Sequence, residues 1–142
     1  MTPDQIALVQ ATFDKIAPIH VTIGALFYRR LFELNPELRP LFHNDMVAQS
    51  RKLMDMIALV VDHLSEFESL QPRLRALALA HIGYGARDEH YDTVGVALIW
   101  AIRQGLEDQF TPADQAAWLA AYSLLADAVK ASAASARLDD PQ

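Results

Sequence analysis

Five histidines, His20, His43, His63, His81 and His90, are the side chains of this sequence best suited to bind a metal or move a proton near neutral pH. Taken singly, a histidine is more often a surface or hydrogen-bonded side chain than a ligand. A zinc-type site needs several ligands at short spacings, such as two histidines four apart on one helix, and no such pair occurs. There is no cysteine, which excludes thiolate metal sites and a disulfide frame. No nucleophile motif, P-loop or dinucleotide fingerprint is present. Metal-assisted or acid–base hydrolysis finds no support here.

One histidine differs from the rest by its register. His81 follows Leu77 by four residues and Leu74 by seven, so it continues the apolar face of a helix. A histidine there needs a buried hydrogen-bond partner or a ligand role. Gln49 poses the same question elsewhere, three residues after Met46 and four before Leu53, an amide within an apolar stripe. Two readings stay open. Each can be a core-edge polar group satisfied by the backbone, or the two can face an occupant enclosed between their helices.

The elements that must position these groups read as helical from end to end, with no period-two alternation over a strand's length. Thr2 can cap a first helix with Pro3 at its first position and Gln5 reaching back, its stripe being Ile6, Val9, Phe13 and Ile16, ended near Pro18. A second helix is expected from about His20 to Leu34, broken by Asn35-Pro36, and a short turn-like helix leads to Phe42. A third runs from about Asp45 to Glu66, with Met46, Leu53, Met56, Ile57, Val60 and Leu64 on one side. Leu70, Leu74 and Leu77 open a shorter helix reaching His81. Two strong helices follow, Tyr91 to about Glu107, and Thr111 as cap with Pro112 as first residue to about Ala136. Trp118, Tyr122, Leu125 and Val129 mark the buried face of the last. Seven or eight helices of uneven length do not describe an up-down four-helix bundle. The pattern predicts one all-α domain over residues 1–136 and a polar tail over 137–142.

Composition agrees. A 142-residue chain with about half its residues hydrophobic can bury a core as one domain. The formal charge of -6 argues against nucleic acid and against docking on anionic lipid. The longest apolar run, Val94 to Ile102, is far too short to span a membrane, and no signal peptide is visible, so a cytoplasmic location is expected.

The segment Leu26-Phe27-Tyr28-Arg29-Arg30-Leu31-Phe32, followed by Pro36-Glu37-Leu38-Arg39-Pro40-Leu41-Phe42, resembles the second and third helices of bacterial single-domain globins, the lineage that also supplies the haem domain of flavohaemoglobins. Gln49-Ser50-Arg51-Lys52-Leu53-Met54 is similar to the distal helix of the Hell's Gate type of those globins. His81, Gly85 and His90-Tyr91-Asp92-Thr93-Val94-Gly95 resemble the proximal region, and Ala117-Trp118 with Ala121-Tyr122 the last helix. The likeness covers nearly the whole chain with the motif spacing kept.

The resemblance implies a globin fold, a three-over-three helical sandwich enclosing one haem b. His81 would be the axial iron ligand, its other ring N–H donated to a backbone carbonyl near Leu77. Tyr28 and Gln49 would be the distal hydrogen-bonding pair, and Phe42 would stack on the haem plane. Small residues at Gly24 and Ser50 would let the second and third helices cross closely. Leu53, Val94, Leu98 and Tyr122 would line the pocket, Leu77 and Tyr91 would lie on the proximal side, and Lys52 would meet a propionate, with His43 near the same edge. The flavohaemoglobin pattern joins the proximal histidine to a tyrosine and a glutamate; Tyr91 keeps the tyrosine, while the glutamate position is Ala133.

Three function classes follow from that likeness. The first is reversible binding of O2, CO or NO with high O2 affinity. The second is oxidation of nitric oxide to nitrate with electrons from a separate reductase. The third is a haem-based sensor or interaction module, against which the lack of an attached output domain counts. A monomer or weak homodimer is expected.

Overall fold

Local rules set the helix boundaries. The structure, a computed structural model, describes residues 1–42, 45–83 and 88–139, with side chains described except at 41, 81–83, 88 and 136–139. Thr2 caps α1 (Pro3–Ile16): its hydroxyl accepts from the Gln5 N–H and the Gln5 amide oxygen accepts from the Thr2 N–H, both at 3.1 Å. A 3₁₀ turn at Ala17–Ile19 leads into α2 (His20–Leu34), which stops at Asn35 before Pro36. The expected short element before Phe42 is a 3₁₀ segment, Pro36–Leu41. Then come α3 (Met46–Asp62), α4 (Gln71–Gly83), α5 (Asp88–Leu106) and α6 (Pro112–Asp139), with 3₁₀ segments at Leu64–Leu70 and Glu107–Gln109. Among the described residues there is no strand, and there are six α-helices and four 3₁₀ segments.

Three boundaries differ from expectation. α3 ends at Asp62, not near Glu66, because His63 leaves helical geometry (φ -112°) and its ring Nδ1–H donates back to the Leu59 carbonyl at 2.9 Å. α5 begins at Asp88, earlier than Tyr91. α6 continues to Asp139, past Ala136, and starts on a second reciprocal cap: Thr111 Oγ1 accepts from the Asp114 N–H at 3.1 Å while Asp114 Oδ2 accepts from the Thr111 N–H at 3.0 Å.

α2 packs mainly on α5 and α3, and α6 on α1 and α4. Val9, Ile16, Ile23, Leu31, Leu74, Ile102 and Val129 are sealed in the interior. α2 and α3 cross at two small residues. A Cβ placed on Gly24 would lie 2.8 Å from Ser50 Cβ, closer than real side chains approach. Ser50 Cβ is fixed to its helix, so the clash cannot be relieved by a rotamer change. Gly24→Val is therefore expected to destabilise the fold by about 1–3 kcal/mol through forced separation of the helices. Urea unfolding checks this, and an unchanged midpoint would mean that the crossing tolerates bulk.

Candidate functional site

The crossing places two polar side chains face to face. Tyr28 lies one turn after Gly24 on α2 and is buried, 6% exposed. Gln49 precedes Ser50 on α3, and its side-chain amide is near enough to act on the Tyr28 phenol. Burial pushes the Tyr28 phenol up to about 12, and the Gln49 amide, acting on the phenol oxygen, pulls it part-way back. Tyr28 thus stays protonated across the physiological range and keeps its O–H as a donor.

Aromatic rings fix this donor. The Tyr28 ring meets Phe42 edge-on, with centroids 5.4 Å apart and planes at 70°, and also packs on Phe27 and Phe32. Phe42 in turn meets Phe32 at 5.5 Å. The Arg39 guanidinium ties the corner down, donating to the Phe42 carbonyl at 3.0 Å and lying 5.3 Å from the Phe32 ring.

On the opposite side, α5 and α6 are clamped together. The Tyr122 hydroxyl donates to the Tyr91 carbonyl. Its ring lies where only glycine fits, since a Cβ on Gly95 would come within 2.7 Å of Tyr122 Cε2. Burial pushes the Tyr122 phenol up, with Tyr91 and Asp92 adding to the effect, so it too remains a donor. Lys130 Nζ sits 5.8 Å from the centre of the Tyr91 ring and 3.8 Å from Asp92 Oδ1. Ala133 is buried, with no acid at that position.

Of the residues anticipated from the sequence, the structure brings together Tyr28, Gln49 and Phe42. Leu98 and Tyr122 share the lining of a small apolar cavity of about 30 Å³. Leu53, Leu77, Tyr91 and Val94 are half-buried and packed against the core, and Lys52 is exposed. The backbone of His81 belongs to α4, but its side chain, and with it the expected bond to the Leu77 carbonyl, lies outside the described residues, as does His43. Phe32, Arg39, Gly95 and Lys130 were not singled out from the sequence as site residues. The Lys130 contacts are long-range and the Arg39 contacts, though within seven residues, follow no helical spacing because they sit in a 3₁₀ corner, whereas Gly95, four residues after Tyr91, was visible as a glycine inside a helix.

A model of the globin family matches residues 25–129 of the sequence. The chain is a globin. Among its relatives, a flavohemoprotein of Bordetella parapertussis is 35% identical over 130 residues, covering 89% of this globin and 32% of the relative. One from Chromobacterium violaceum is 36% identical over 124 residues, covering 85% and 31%. The globin thus spans about a third of the length of these relatives. Among solved structures, an engineered carbene transferase from Rhodothermus marinus, whose parent protein carries the name nitric oxide dioxygenase, superposes with a TM-score of 0.89 at 29% identity, covering 99% of both chains. A bacterial globin of Campylobacter jejuni shares the fold, with a TM-score of 0.87 at 24% identity over 98% of this chain and 100% of that one.

The family and the flavohemoprotein relatives imply a haem. The residues present fit one. Phe42, Leu53, Leu77, Tyr91, Val94 and Tyr122 offer apolar surface that their neighbours only half cover, and Tyr28 adds a buried hydroxyl donor. No helix among the described residues is long and apolar enough to cross a membrane.

Proposed function

We propose that this globin binds haem b through His81 and holds O2, CO or NO reversibly beneath Tyr28. The observation that carries the reading is the buried Tyr28 phenol, kept protonated beside Gln49 and braced by Phe42. The absence of cysteine favours haem b, since a c-type attachment needs thiols. The haem would supply an iron centre for the gas, and the protein would tune how that centre discriminates between gases. His81 would anchor the iron side, with Leu77 and Tyr91 packed around it. Val94, Leu98 and Tyr122 would present an apolar wall, and Leu53 would exclude water on the distal side. Lys52, exposed on α3, suits a carboxylate partner at the rim. Tyr28 donates to the gas molecule, and Gln49 acts through the phenol beside it. A donor in a water-poor site favours a ligand carrying partial negative charge over an apolar one. High O2 affinity through slow release is the consequence.

A second reading, oxidation of nitric oxide to nitrate using reductase electrons, draws support from the names of the flavohemoprotein relatives and the Rhodothermus neighbour. It uses the same pocket. Ala133 separates this chain from a proximal triad that includes a glutamate, so strong electron donation toward the iron side is not expected.

Absorption spectra test the first reading. The dithionite-reduced protein is expected to be five-coordinate, because Gln49 is a poor iron ligand and no histidine stands in its place. It should shift on adding CO and form a stable distinct spectrum in air. A protein that retains no haem would refute the reading, and a six-coordinate reduced spectrum would refute the open distal site. Nitric oxide consumption with an added reductase then separates the two functions.

A further inference from the structure

A cleft of about 390 Å³ lies between α2 and α3 on the outward side of their crossing. The most buried residue in its lining is Tyr28, so the cleft ends against the ring of the distal donor. Val21 and Val47, 64% and 63% exposed, stand at its mouth, and Phe32 gives it an aromatic wall. Three arginines converge on it, Arg29, Arg39 and Arg51, in a chain whose net charge is -6.

Two of them, Arg29 and Arg51, have weak commitments within the protein, and Arg39, which braces the Phe42 corner, still has N–H groups to offer. Arg29 has a 3.8 Å contact to Glu33, both side chains well exposed, an arrangement that holds neither firmly. Arg51 makes no ion pair or hydrogen bond among the described residues. Arg39 spends one N–H group on the Phe42 carbonyl and keeps the others.

The combination selects a ligand chemistry. Guanidinium forks match phosphate oxygens in pairs, and several of them exceed what a single carboxylate can satisfy. Apolar and aromatic walls take a flat hydrophobic body, and the volume falls in the usual range for small-molecule sites, roughly 300–1,000 Å³. Inorganic phosphate would leave the apolar walls wet, and a neutral aromatic would leave the cations unused. We propose that the α2–α3 cleft binds a phosphate monoester carried on a flat apolar body, the chemistry of a mononucleotide such as flavin mononucleotide. The binding stands on the cleft alone; only its bearing on the gas site rests on the function proposed above.

Equilibrium dialysis of the purified protein against flavin mononucleotide is the test. Saturable binding of one molecule per chain is expected, with a Kd on the order of 0.1 mM. Riboflavin, which has the same ring system without the phosphate, should bind at least about tenfold more weakly. Reversing two exposed charges with Arg29→Glu and Arg51→Glu should weaken flavin mononucleotide by about tenfold or more. Ala25→Trp, an exposed substitution in the cleft lining, should block it. No binding up to about 1 mM, equal binding of riboflavin, or indifference to the charge reversal would overturn the proposal. So would saturable binding of decanoate in place of the nucleotide, which would give the cleft to an aliphatic anion. The absorption spectrum of the same samples keeps the readings separate. Nucleotide binding without haem would defeat the gas-binding function and leave the cleft standing, and haem without nucleotide binding would do the reverse.

Discussion

Replacing Tyr28 by phenylalanine is expected to speed O2 dissociation by about tenfold or more while leaving CO dissociation nearly unchanged. The substitution keeps the ring, and so the edge-on contacts with Phe42 and Phe27 that brace this corner. It removes only the O–H group. Bound O2 draws electron density from the iron and CO far less, so a donor aimed at the ligand affects the two gases differently. Hydrogen bonds to charged groups contribute about 1.5–3 kcal/mol, and each 1.4 kcal/mol is about tenfold in an equilibrium or rate. Because burial holds the phenol up at about 12, the O–H persists and the O2 off-rate should be flat from about pH 6 to pH 9. Gln49→Leu should have a smaller effect in the same direction, since Gln49 acts on the ligand only through the Tyr28 phenol in the proposed site. Stopped-flow displacement of O2 and CO measures all three. Equal acceleration of both gases in Tyr28→Phe would point to a steric change, and no acceleration would remove Tyr28 from the distal role.

The same corner shows what the sequence made legible. Thr2 and Thr111 announced their helices because capping is a local rule needing only the next three residues. Gln49 stood out because an amide interrupted a helical stripe, and its partner Tyr28 followed from family spacing; the structure sets Gln49 near enough to act on the buried phenol. Less legible was everything fixed by approach between distant segments. Tyr122 reads as an apolar wall residue, yet its hydroxyl is used on the Tyr91 carbonyl, thirty-one residues away, and only the empty space at Gly95 admits its ring. Nothing in the spacing of α6 reports where a carbonyl on α5 will lie. The early end of α3 was hidden for a different reason: the apolar pattern continues through Leu64, but the backbone changes to a 3₁₀ segment at His63 while keeping Leu64 buried. Burial pattern and helix type are separable, and periodicity reports only the first. The arginines of the cleft were likewise invisible as a group, since Arg29, Arg39 and Arg51 come from three elements.

Removal of the imidazole at residue 81 is expected to have the largest effect of all. Leu74, which is 1% exposed, and the half-buried Leu77 fix which register of α4 faces the interior, and residue 81 follows them in the sequence at helical spacing. His81→Gly should abolish the five-coordinate histidine-ligated spectrum and leave the purified protein with little or weakly held haem. The backbone cost is small, about 1 kcal/mol for glycine within a helix and less near its end, and α4 ends at Gly83. Far-UV circular dichroism close to that of the parent would show that the fold survives. Added imidazole supplies the decisive arm. It can occupy the space left by the side chain and ligate the iron in its place, so millimolar imidazole should restore haem uptake and the parent-like reduced spectrum in His81→Gly. A mutant that keeps the parent spectrum without imidazole would transfer the ligand role to another residue. A folded mutant that neither holds haem nor responds to imidazole would mean that residue 81 shapes the pocket without bonding the iron. Rescue separates a bond to the metal from a contribution to packing, because a small molecule can replace the first and has no means of restoring the second.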